Sequence, residues 1–110
     1  MKADELTQAE QVVLVGLVRH LVMIDGELSD SELYELIRLG TEIGRDDFQY
    51  ALEQTEETFE DRDKMLAAAA TLEREAAREK VRSELGRIAE GDGLHRRESA
   101  FIRDVDDCWG

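Results

Sequence analysis

The stretch Asp25-Gly26-Glu27-Leu28-Ser29-Asp30-Ser31-Glu32 sets four carboxylates and two hydroxyls around a glycine. Hard oxygen donors at this density suit a calcium-type cation. An EF-hand loop takes its ligands from positions 1, 3, 5, 7, 9 and 12, with glycine at 6. With Gly26 at the glycine position, Asp25, Glu27, Ser29 and Glu32 fall on ligand positions and Leu28 on the apolar one. The first two ligand positions become Leu21 and Met23, which cannot coordinate a hard cation. One such loop therefore does not make a complete calcium site.

A second stretch follows the same plan. Asp92-Gly93-Leu94-His95 precedes Glu98, which lies 66 residues after Glu32. When Glu98 is set on Glu32, Leu94 falls on Leu28, but the Asp-Gly pair is displaced by one residue. Both stretches also have a purely conformational reading. Gly26 and Gly93 allow the chain to turn after a helix. Ser29 caps the next helix, and Glu32 reaches back to close a capping box. Leu28 and Leu94 then tuck in as staples. The metal reading needs both stretches. Four carboxylates in one small volume repel each other unless a cation sits among them. If the two units lie side by side, Asp25, Glu32, Asp92 and Glu98 form a divalent-cation site, with Glu27 and His95 as neighbours.

Little else in the chain points to reaction chemistry. His20 stands alone in an apolar helix, where a hydrogen-bonded core or groove position is the ordinary role. Two histidines and the single Cys108 do not give a zinc spacing. No nucleophile elbow, P-loop or dinucleotide fingerprint occurs. A non-enzymatic protein is expected.

The elements that must carry these motifs are helical. The apolar run Val12–Ile24 is too short, and too polar at Arg19 and His20, to span a bilayer. It reads as a core helix that begins near Gln8, after the capping-box spacing Thr7–Glu10. A second helix opens at Ser29, with Leu33, Leu36, Ile37, Gly40 and Ile43 expected inward and Gly44 as its stop. Asp46 is expected to cap a third helix, with inward Phe48, Ala51, Leu52, Thr55 and Phe59. Asp61 caps a fourth through Met65, Ala68, Ala69 and Leu72. After a break near Thr71–Glu75, Ala77, Val81, Leu85, Ile88 and Ala89 line a long helix. The last begins at His95 or Arg96 and carries Phe101, Ile102, Val105 and Trp109.

The chain has 110 residues, which fits one domain, 1–110. Although 37% of residues are charged, a 42% hydrophobic share in periodic stripes can bury a core. The formal net charge of −13 repels nucleic acid and anionic membrane surfaces. It suits cations or basic protein partners. A single cysteine allows no internal disulfide, and the N-terminus lacks the build of a signal peptide, so a reducing cytoplasm is expected.

The two motifs, LVMIDGELSDSE and IAEGDGLHRRE, resemble the paired helix–Asp-Gly–helix signatures of TerB-like domains. Such domains occur in tellurite-resistance proteins and in a membrane-anchored DnaJ-type co-chaperone. The resemblance covers nearly the whole chain. It implies an all-α bundle of six to seven helices built from two pseudo-symmetric helix–Asp-Gly loop–helix units. It also implies a metal-binding region at Asp25, Glu32, Asp92 and Glu98, with His95 matching a Leu-His pair of the family. No J domain or membrane anchor is present, so the co-chaperone role is not expected to transfer. The expected function is a protein-interaction module in a stress-response system; the alternative is a divalent-cation binder.

Overall fold

Thr7 starts the first helix as its spacing predicts. The Glu10 amide donates to Thr7 Oγ1 (3.2 Å) and the Thr7 amide to Glu10 Oε1 (2.8 Å). From that box α1 runs over Gln8–Val22. The computed structural model describes residues 2–24, 29–58, 60–91 and 96–109, with backbone alone at 3, 90, 91 and 96–98. Five more helices follow: α2 (Asp30–Ile43), α3 (Arg45–Thr55), α4 (Arg62–Ala70), α5 (Glu75–Gly91) and α6 (Arg96–Asp107). A short 3-10 turn, Ala3–Glu5, precedes them and touches α2. The described residues are all-α, without a strand, and none of their helices is long and apolar enough to cross a membrane.

α1 lies at the centre and contacts α2, α3, α4 and α5. Its apolar run makes this possible: Leu14, Val15, Leu17, Val18 and Leu21 are fully buried. A helix that is apolar on most sides needs neighbours on most sides. Arg19 is tolerated there because its guanidinium donates to Leu52 O (2.9 Å) and Thr55 Oγ1 (3.0 Å), near the C-terminal end of α3. Carbonyls at a helix C-terminus carry partial negative charge and favour a cation. His20 stacks on Phe101 of α6, ring centroids 4.5 Å apart, as a packed residue.

The α4–α5 break falls where expected, at 71–74. Leu72 turns into the core and its carbonyl accepts from Arg78 Nε (2.8 Å). Arg74 reaches back across the fold to form a two-pronged ion pair with Glu10, Nε to Oε2 at 2.8 Å. The α5 stripe Ala77, Val81, Leu85, Ile88 and Ala89 is buried as read. Phe101 and Val105 bury the inner face of α6. Trp109 folds back, its indole N–H donating to Ala69 O (2.7 Å), with Arg82 over the ring at 5.0 Å. Asp61 caps α4 through the Lys64 amide (3.1 Å).

Two expected boundaries differ. Asp46 does not cap α3; Gly44 holds the N-cap position, without a side-chain bond, and Asp46 sits in the first turn. One glycine at φ +107° ends α2 and starts α3, a backbone state a side chain would oppose. α3 ends at Thr55, and Phe59 lies outside the described residues. Both Asp-Gly stretches, 25–28 and 92–95, also lie outside them.

The Arg74 hydrogen bonds hold the Glu10 carboxyl at about 2, against an ordinary 4.5. The folded value is the lower one, so this pair stabilises the fold above pH 4.5 and is lost as pH falls towards 2. Glu10→Gln keeps the capping geometry without the charge. Urea melts should show it less stable than the parent at neutral pH, with the gap closing between pH 4.5 and pH 2.

Candidate functional site

The first motif is described from Ser29 onward. Ser29 is the N-cap of α2: the Glu32 amide donates to Ser29 Oγ (3.1 Å) and the Ser29 amide to Glu32 Oε1 (3.0 Å). This capping box is the conformational role read from the sequence. It leaves one oxygen over. Glu32 is only 1% exposed, and its Oε2 has no hydrogen-bond partner among the described residues. A buried carboxylate oxygen without a donor or cation is costly. The N-terminus of α2 offers it partial positive charge.

Asp25, Gly26, Glu27, Asp92, Gly93 and His95 lie outside the described residues, and the Glu98 side chain is outside them too. Among the described residues, no three His, Cys, Asp or Glu side chains are grouped to hold a metal ion. Glu32 is the single candidate ligand with a described side chain, and its donor chemistry fits a hard cation.

The rotation of α2 corrects part of the stripe read from the sequence: Leu36 and Ile43 do pack on the core, but Leu33 and Ile37 do not. Leu33 and Ile37, expected inward, are 45% and 61% exposed, and Tyr34 between them is 65% exposed. The buried side carries Glu32, Glu35, Leu39 and Ile43. The reason is electrostatic. Arg38 pairs with Glu35 (2.8 Å), with Glu42 (2.9 Å) and, across to α5, with Glu84. Lys80 of α5 pairs with Glu42 (2.8 Å) and Glu84 (2.9 Å), and Arg87 with Glu35 (3.2 Å). Three carboxylates meet three cations, so the cluster is neutral. Burial alone would lower the Arg38 and Lys80 pKa values. For Arg38 the bonds to Glu35 and Glu84 outweigh it, and for Lys80 those to Glu42 and Glu84; both end raised. The cluster joins α2 to α5 through polar groups and leaves Leu33, Tyr34 and Ile37 of α2 pointing out.

That outer face continues into a groove. Between α2 and α3 lies an open cleft of about 510 Å³, lined by Ile37, Gly40 and Thr41 on one side and Phe48, Gln49 and Leu52 on the other, with Arg45 at one end. Gly40 forms its floor. A Cβ there would stand 2.8 Å from Phe48 Cδ2, so the ring can lie against α2 only because the residue is glycine. The sequence offered one missed signal: Glu35, Arg38 and Glu42 at i, i+3 and i+7. That spacing reads equally as a solvated face.

The fold and this surface define a small, acidic, all-α domain with an outward apolar helix face. Comparison with family models, curated proteins and solved structures gave no match to the chain. The TerB-like resemblance rests on the two motifs alone.

The orientation of α2 gives opposite expectations for two neighbouring residues. Ile37→Gln should change stability by less than about 0.5 kcal/mol. Leu39→Ala, at a fully buried site, should cost about 3 kcal/mol. Chemical denaturation of the two variants checks both values, and the reverse order would place Ile37 inside.

Proposed function

We propose that this chain is a non-enzymatic protein-interaction domain of the TerB-like kind, serving a tellurite-resistance-like stress response. The observation that supports interaction is the outer face of α2, where Leu33, Tyr34 and Ile37 are left exposed while carboxylates are buried beneath them. Apolar side chains clustered on one exposed helix face are a mark of a partner surface. A local rule of patterning is broken there, and such breaks concentrate at functional sites. The TerB-like assignment itself is supported by the paired motifs, and cytoplasmic residence by the single cysteine.

A photo-crosslinking residue placed at Tyr34, in cells that carry the protein, should trap a discrete adduct. The same residue at Ser83, exposed on α5, should trap none. Equal adducts from both positions, or none from Tyr34, would count against this face.

The second reading is a divalent-cation protein, and the unpartnered Glu32 Oε2 favours it. Asp25, Asp92 and Glu98 would join Glu32 as ligands, with Glu27 and His95 nearby. The cation would balance carboxylate charge and tie the two motifs together. A cation that binds only the folded state adds about 2.7 kcal/mol at 100 times its Kd. Thermal melts after chelation, with calcium, magnesium, manganese and zinc in turn, should show a selective rise that Glu32→Gln abolishes. A uniform rise with all four ions, kept by the variant, is charge screening and removes the reading.

A further inference from the structure

We infer that the α2–α3 groove receives an amphipathic helix whose flanks carry lysine or arginine, supplied by another protein. This rests on the interaction reading above and names the partner's chemistry. The groove is bounded by Ile37, Gly40 and Thr41 on α2 and by Phe48 and Leu52, one turn apart, on α3, and exposed Leu33 stands one turn before Ile37 on the same helix. A third helix laid along such a furrow meets the matching i, i+4 spacing with its own apolar stripe.

The rims decide the charge of that helix. On α3, Asp46, Gln49 and Glu53 stand at i, i+3 and i+7, one ridge beside the cleft. Gln49 lines the cleft and donates to Glu53 Oε1 (3.3 Å). On α2, Asp30 lies two turns before Ile37 on the same side. Asp30, Asp46 and Glu53 are exposed and make no ion pair among the described residues. Among the described residues, Arg45 is the only cation lining the groove. Glu35 and Glu42 of α2 are neutralised by the Arg38–Lys80 cluster, whereas the rim carboxylates Asp30, Asp46 and Glu53 keep their charge available to a partner. Acidic rims around an apolar furrow attract basic flanks and reject acidic ones. A second copy of the chain fits badly, because a two-fold contact would set these carboxylates against their own copies. Nucleic acid and anionic lipid are repelled by the same charges and by the net −13.

The test uses three labelled synthetic peptides: a Leu/Lys helix with an i, i+3, i+4 apolar stripe, the same stripe with Glu replacing Lys, and a Leu/Lys scramble without a stripe. Anisotropy titration against the full chain should show the striped Lys peptide binding about tenfold or more tighter than either control. Amide shifts should concentrate at Leu33, Ile37, Phe48 and Leu52. Ile37→Gln, a surface change, should weaken that peptide about tenfold. The double variant Asp46→Lys, Glu53→Lys should prefer the Glu peptide. Equal binding of the scramble reduces the effect to charge alone and overturns the inference. If the striped Glu peptide binds the same residues as well as the Lys peptide, the groove stands as a docking site and the basic helix falls. If no peptide shifts the four residues, the groove and the interaction face fall together.

Discussion

Six charges between α2 and α5 set how this domain presents itself. Arg38, Lys80 and Arg87 face Glu35, Glu42 and Glu84, and Glu84 keeps only 3% of its surface in contact with solvent. Once these side chains meet, α2 has no rotational freedom left. Turning it by about a third of a revolution to bury Leu33 and Ile37 would pull Glu35 and Arg38 out of the cluster and strand Glu84 and Lys80. Breaking one member of a buried ion cluster costs more than the intact cluster contributes. The network therefore acts by forbidding the alternative packing more than by adding stability.

The exposed face is the consequence. Burying a leucine or isoleucine side chain yields about 1.5–3 kcal/mol, and here Leu33 and Ile37 forgo much of that. α1 makes this tolerable. Its side chains fill the centre from every direction, so α2 needs only Leu36, Leu39 and Ile43 to join the core. Ile37, one of the surplus apolar residues of α2, then meets Phe48 and Leu52 of α3 across an open groove. The same helix begins at the motif that holds Glu32, whose second oxygen is left without a partner. The candidate cation ligand and the candidate docking face are thus presented by one helix, whose orientation depends on α5.

Much of the architecture could be read from local signals. The Thr7 and Ser29 capping boxes, the Asp61 cap, the α5 stripe and the inward Phe101 and Val105 each depend on residues within a turn or two of one another. The inner face of α2 could not. The stripe of Leu33, Leu36, Ile37, Gly40 and Ile43 holds at Leu36 and Ile43, but the buried side is centred nearer Leu39, and helical periodicity accepts either rotation. The choice is made by Glu84, 46 positions beyond Arg38, through a contact no local window contains. Asp46 misled for a similar reason. It has the composition of a cap, but Gly44 took that place because one glycine serves both α2 and α3. Of the candidate site, the sequence identified Glu32 and its cap. It could not foresee that this carboxylate would be almost wholly buried with one oxygen unmatched.

The orientation of α2 is best measured on methyl groups. A soluble paramagnetic agent broadens the signals of methyls that solvent reaches. Strong broadening is expected at Leu33 and Ile37, and protection at Leu39 and Ile43. The opposite pattern, with Leu33 and Ile37 protected and Leu39 broadened, would overturn this orientation of α2 and the docking face that depends on it.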